Sequence, residues 1–180
     1  MTPEAIEVRD LAYARICALG IFKTTRDGIV EQLEPADQLP AVTVFVSRER
    51  LAPDGDANTG MPKFVNTLTL GVLITVDHGD KRELEPTLNR YATAVTTLLL
   101  TDIDFQNEIE AVTDIDQTQR FPADGETYYA EARLEFTIQF RSQWPPAIID
   151  DLRQIILTTR PAPADDDTPA VTTRIDLPGP

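Results

Sequence analysis

The sequence predicts an α+β domain: a mixed, mainly antiparallel β-sheet built from two hairpins and packed by two to three α-helices. Three observations predict it. From Thr127 to Trp144 (TYYAEARLEFTIQFRSQW), Tyr128, Ala130, Ala132, Leu134, Phe136, Ile138 and Phe140 are apolar. Between them stand Glu131, Arg133, Glu135, Thr137, Gln139 and Arg141, with Tyr129 alone ambiguous. Successive strand side chains point to opposite faces, so this is a strand with one oily and one wet face. Ala41–Arg50 and Phe64–Val76 alternate in the same way and are rich in Val, Ile and Thr. Between and around these runs, apolar residues recur at three- and four-residue steps, as a helix burying one face requires.

Taken in order, Thr2-Pro3-Glu4 reads as a helix start: a capping hydroxyl, proline at the first helical position and an acid in the first turn. Ala5, Val8, Ala12, Ile16 and Leu19 form its apolar stripe, and Gly20 is its stop. Asp27-Gly28 signals a turn, with a short strand expected at Ile29-Val30 and Leu33. In AVTVFVSRER, Val42, Val44 and Val46 share one face and Thr43, Phe45 and Ser47 the other. The loop Ala52–Lys63 places Asp54, Asp56 and Asn58 at alternate positions, like the opening of a calcium-binding loop. Thr59 stands where that motif needs glycine and Val65 where it needs a bidentate Glu, so a solvated loop between two strands is expected.

Phe64–Val76 returns antiparallel, Leu68, Leu70, Val72, Ile74 and Val76 inward. A helix follows, placed from about Glu85 so that Pro86 falls in its first turn; Leu84, Leu88, Tyr91, Val95 and Leu98 line its face. Asn107–Gln117 reads as an acidic strand that turns at Phe121–Glu126 into the Thr127 strand. At ~3.3 Å per residue that strand spans about 45–50 Å, which predicts that part of it serves something outside the domain. Pro145 and Pro146 open a last helix with Ile148, Ile149, Leu152, Ile155 and Ile156 as its stripe. Residues 1–157 are the expected domain. Residues 158–180, rich in Pro and Asp, are an extension expected to order only on contact with a neighbour. Within it, Ala170–Leu177 is strand-like enough to add to an exposed edge.

Charge narrows the function. With 30 Asp and Glu against 16 Lys and Arg, the net charge is −14. The cations are scattered, which argues against a protein that grips nucleic acid by its phosphates. Cys17 is alone, so no intramolecular disulfide can form. The N-terminus lacks a basic and apolar leader, and no window is apolar enough to span a membrane, so a soluble cytoplasmic product is expected.

Catalytic signatures are missing: no phosphate loop G-x-x-x-x-G-K-S/T, no G-x-G-x-x-G turn, no G-x-S-x-G elbow, no H-E-x-x-H. His78, between Asp77 and Asp80, has no second His, Cys or Ser close in sequence and reads as a turn histidine. No enzyme activity, cofactor or metal is expected. Arg133 and Arg141, with Glu131 and Glu135 on the wet face, have two readings: cross-strand pairing with the acidic hairpin partner, or an intersubunit contact.

The order helix, hairpin, helix, hairpin, helix resembles the tail terminator proteins of tailed bacteriophages. Also similar are the lead-in Leu39-Pro40-Ala41-Val42-Thr43-Val44, the threonine-rich strand Thr67-Leu68-Thr69-Leu70-Gly71-Val72, and Tyr129-Ala130-Glu131-Ala132-Arg133-Leu134-Glu135-Phe136. The resemblance covers roughly residues 2–157. It implies a structural virion protein, assembled in the host cytoplasm into a ring, usually of six subunits, at the head-proximal end of the tail tube. Such a ring ends tube polymerisation and receives the head–tail connector or head-completion protein. DNA passes through it without specific binding. Another neck or tail-completion protein is the nearest alternative, and a small cytosolic enzyme or ligand-binding domain the alternative from a different class. A closed ring needs two different patches on each subunit. Candidates are the long strand (Tyr129, Glu131, Arg133, Glu135 and Arg141) and the hairpin loop with Asp54, Asp56 and Met61.

Overall fold

A threonine hydroxyl followed by proline is prepared to start a helix, and this one does. In the computed structural model, which describes residues 1–28, 38–55, 62–121 and 129–143 and the backbone of 154–159 and 171–176, helix α1 spans Pro3–Ala18. The Thr2 Oγ1 accepts from the Ala5 N–H at 3.2 Å, satisfying one of the free donors of the first turn. Ala5, Val8, Ala12 and Ile16 are its buried stripe. The chain leaves through Gly20, whose φ of 64° is the left-handed conformation that favours glycine.

The chain divides into two compact units, Met1–Pro146 and Ala147–Pro180. The first is built on a five-stranded sheet of order β1-β2-β3-β5-β4. Its strands are β1 (Thr24–Asp27), β2 (Ala41–Pro53), β3 (Lys63–Asp77), β4 (Ala111–Arg120) and β5 (Tyr129–Gln143). β1 runs parallel to β2, and every other pairing is antiparallel. Helices α2 (Lys81–Thr101) and α3 (Ile103–Asn107) complete the unit. This is the expected mixed, mainly antiparallel α+β sheet made from two hairpins. α1 lies on β2, and α2 on β3 and β5. Val42 and Val44, the even residues Leu68–Val76 and the even residues Ala130–Phe140 meet the helices as one buried core.

Several boundaries differ from expectation, each for a physical reason. α2 begins at Lys81, four residues before the expected start: the Asp80 carboxylate accepts from the Arg82 N–H at 2.9 Å and caps it. Pro86 therefore sits inside the helix. Arg82 and Pro86 are both exposed, so water can replace the bond that proline removes. The strand expected from Asn107 starts at Ala111, because Asp102 caps α3 through the Phe105 N–H at 2.8 Å. β1 precedes the Asp27-Gly28 turn; Ile29, Val30 and Leu33 lie outside the described residues. The length of β5 is used inside the unit, contrary to expectation. β3 pairs with it residue for residue from Lys63↔Gln143 to Asp77↔Tyr129.

The expected last helix is also corrected. Gln154–Thr159 is a strand, β6, paired antiparallel with β7 (Val171–Asp176). Residues 154–159 read QIILTT, and their β-branched run favours a strand over the helix that the spacing of Ile155 and Ile156 predicts. Ile148, Ile149 and Leu152 lie outside the described residues. The strand character of Ala170–Leu177 is present, with β6 as the partner.

Candidate functional site

With the described helices packed on one face, the sheet's second face is left to its own residues. Period two alone does not identify them, because two bulges reset the phase. In β2 the register shifts between Val46 and Arg48, so Ser47 is the extra residue. Beyond it Arg48 and Arg50 join Thr43 and Phe45 on the second face, while Glu49 turns toward the helices. In β4 the shift falls between Val112 and Asp114. There Asp114 and Asp116 join the second face, and Ile115 and Gln119 turn inward. The Gln119 amide donates to the Asn89 Oδ1 of α2 at 2.7 Å, which fixes that side.

The face can be followed row by row across β2, β3, β5 and β4. One row is Thr43, Leu73, Arg133, Thr118; the next is Phe45, Gly71, Glu135, Asp116. The third is Arg48, Thr69, Thr137, Asp114, and the fourth Arg50, Thr67, Gln139, Ala111. Charge therefore changes sign across the sheet. Exposed Arg48 and Arg50 stand on β2; Thr67, Thr69, Thr137 and Gln139 lie in the middle beside Arg133 and Glu135; exposed Asp114 and Asp116 stand on β4, which also carries Arg120 on this face opposite Glu131. Three strand spacings, roughly 14 Å, separate the two ends of a row.

Most of the sequence-predicted residues lie on this face. Arg133 faces Leu73 and Thr118, and its guanidinium pairs at 2.7 Å with Glu135 of its own strand. It also lies 5.5 Å from the centroid of the Phe45 ring, a cation–π contact. The expected cross-strand acidic partner is absent here because the register sets Thr118 beside Arg133, Asp116 beside Glu135 and Asp114 beside Thr137. Glu131 sits between Thr75 and Arg120, and Tyr129 is opposite Asp77 at the far end. Arg141 does reach across: its Nε donates to Asp54 at 2.9 Å and its Nη1 to Glu110. Those two hydrogen bonds, with the charges behind them, raise the Arg141 pKa above its ordinary value. Two predicted residues far apart in sequence, Asp54 and Arg141, are thus brought together. Asp56 and Met61 lie outside the described residues.

Sequence reasoning missed three features. Phe45 packs over Gly71, which has no Cβ to hold it off. Glu49, its side chain 6% exposed, gathers a polar cluster on the helix face. It accepts from the Thr2 N–H at 2.8 Å, the Thr2 hydroxyl at 2.7 Å and the Asn66 amide at 3.4 Å. The Ser142 hydroxyl in turn donates to the Asn66 Oδ1 at 3.0 Å. The third is the free charge at the ends of the rows. Among the described residues Arg48, Arg50, Asp114 and Asp116 form no ion pair. The alternation of each strand carried that signal, but its sidedness depended on the bulges.

A cleft of about 550 Å³ beside α1 and α3 is rimmed by Glu4, Glu7, Glu108 and Glu110, with Arg141 among them. His78 is engaged locally: its Nδ1 accepts from the Asp80 N–H at 3.0 Å. Among the described residues no group of three or more His, Cys, Asp or Glu side chains converges as a metal site, and no helix is long and apolar enough to cross a membrane.

No family model matches the chain, and no curated protein matches it. Among solved structures it is similar to a chain in the virion of a native gene transfer agent (GTA) particle. The identity is 11%, over 76% of this chain and 92% of that one, with a TM-score of 0.34.

Proposed function

We propose that this protein is a structural virion component. In this reading it forms a ring, of six subunits by its sequence resemblance, that caps the head-proximal end of a phage-type tail tube. The ring ends tube polymerisation and presents the docking surface for the head–tail connector or head-completion protein. One observation carries the reading: a sheet packed by helices on one face whose second face, beyond the Phe45–Gly71 contact, carries exposed arginines on β2 and exposed aspartates on β4, with no converging catalytic groups among the described residues. Such a face suits recognition between subunits. The net charge of −14 keeps DNA from adhering as it passes.

The second unit fits the same picture. A two-stranded ribbon is marginal on its own in water, so β6 and β7 take their order from a neighbouring protein. Tyr129, Glu131, Arg133, Glu135, Arg141 and the loop with Asp54, Asp56 and Met61 belong to the subunit and partner contacts. Negative-stain images of tails assembled without the protein test the role. Tubes of irregular length that fail to join heads are expected; tubes of normal, uniform length that still join heads would overturn it.

A further inference from the structure

Among the described residues the two sheet edges are open in complementary ways. β1 pairs only with Ala41–Val44, so among the described residues the outer edge of β2 from Ser47 to Pro53 has no strand beside it. β4 is the terminal strand on the other side over its ten residues. A bare strand edge offers unpaired N–H and C=O groups to another chain, and here the two edges carry opposite charge. Arg48 and Arg50 mark one, Asp114 and Asp116 the other.

We infer that a second copy of this chain occupies each edge: β4 of one subunit pairs with the Ser47–Pro53 half of β2 in the next, extending the sheet from subunit to subunit. Strand direction permits it. β2, β3, β5 and β4 alternate, so a neighbour in the same orientation presents β2 antiparallel to β4. Register permits it once the strands are staggered. An unstaggered neighbour would set Thr118 beside Thr43, the place its own β1 holds. A stagger of two two-residue steps clears β1, keeps the charges on one face, and sets Asp116 beside Arg50 with Asp114 diagonal to it. Any odd slip would move the charges to opposite faces.

Electrostatics also selects against one symmetric alternative. A two-fold contact between two β2 edges would oppose arginines, and like charges directly opposite destabilise a strand pair. A two-fold β4 contact can set Asp114 against Arg120, which shares the second face, but it makes no use of the β2 arginines, so an Arg48→Glu/Arg50→Glu variant that assembles like wild type would reveal it. A repeated heterologous contact makes a ring when its rotation closes and a filament when it does not. The contact itself stands without the tail-cap reading; only its closure into a ring of that role rests on it.

Charge exchange in the full-length chain tests the contact, read by sedimentation velocity. Arg48→Glu/Arg50→Glu and Asp114→Lys/Asp116→Lys are each expected to keep the monomer's circular dichroism spectrum and to weaken self-association at least about 10-fold. Mixing the two restores it, because each then meets an opposite edge, and alternation allows only even-numbered closed rings. Wild-type protein that stays monomeric, doubles that assemble like wild type, or a mixture that fails to assemble would overturn the inference. Rings indifferent to these substitutions sink the edge contact and leave the tail-cap role standing. Edge pairing that behaves as expected, in a protein whose loss leaves tails normal, does the reverse.

Discussion

Gly71 is where the second face of the sheet is most sensitive to a single methyl group. A Cβ there would stand 2.5 Å from the Phe45 Cζ and 2.6 Å from its Cε2, where carbon atoms ordinarily rest about 3.5–4.0 Å apart. The ring must retreat by about 1 Å. It is only 7% exposed and has the Arg133 guanidinium above it, so retreat also displaces the cation. Overpacking of this kind costs about 1–3 kcal/mol. Against it, replacing glycine restricts the unfolded chain and returns about 0.4–1 kcal/mol. Gly71→Ala should therefore lose roughly 0.5–2 kcal/mol, a few degrees in Tm for a chain of this length. Urea titration followed by circular dichroism measures it, and the decisive comparison repeats the substitution in a Phe45→Ala background. With the ring gone, Gly71→Ala should become neutral or stabilising. Equal effects in the two backgrounds, or a more stable single variant, would refute the close approach.

Three further outcomes are expected. Glu49→Ala should destabilise by about 1–3 kcal/mol in urea titration, because it strands the Asn66 amide and the Thr2 N–H; hydrogen exchange should quicken in the first turn of α1. Arg133→Glu removes the contact over Phe45 and adds a carboxylate beside Glu135; it should lower stability by about 1 kcal/mol in thermal unfolding, with Arg133→Lys intermediate. Arg141→Ala should release the β2–β3 loop from the start of β4, seen as faster hydrogen exchange at Asp54 and Glu110. The raised Arg141 pKa makes this link fully present below the ordinary guanidinium range and lost only as pH rises through the still higher folded value. The protection should therefore be flat from neutral pH through mildly alkaline pH, and a loss in that window would count against the assignment.

How far the fold was legible follows from which forces are local. The Thr2 cap, the Pro3 start and the Gly20 exit are read within one turn of chain, and all three stand in the structure. The alternation of β3 and β5 survives intact because no bulge interrupts their fifteen paired residues. Where a tertiary partner decided, sequence reasoning went astray. Pro86 argued for a late helix start, but the Asp80 cap and water at an exposed turn outweighed it. The stripe at Ile155 and Ile156 argued for a helix, and strand pairing with Val171–Asp176 prevailed. The placement of β5 between β3 and β4 needs contacts far apart along the chain, which no local period encodes.

The bulges matter most for function, because they decide which charges are available to a partner. Without them Arg133 and Arg141 look like the natural contacts, being cations on the wet face of the longest strand. The structure engages both within the subunit, one with Glu135 and Phe45, the other with Asp54 and Glu110. A partner approaching either must break or share an existing pair, so the net gain is small. Arg48, Arg50, Asp114 and Asp116 carry no such debt among the described residues, and the one-residue shifts at Ser47 and Thr113 put all four on the same face. Charges that are uncommitted, opposite in sign and placed at opposite edges are the kind that set partner orientation. The long strand that dominates the sequence is an internal strand of the sheet, and in the proposed assembly its committed arginines lend a partner less than the uncommitted charges on its flanks.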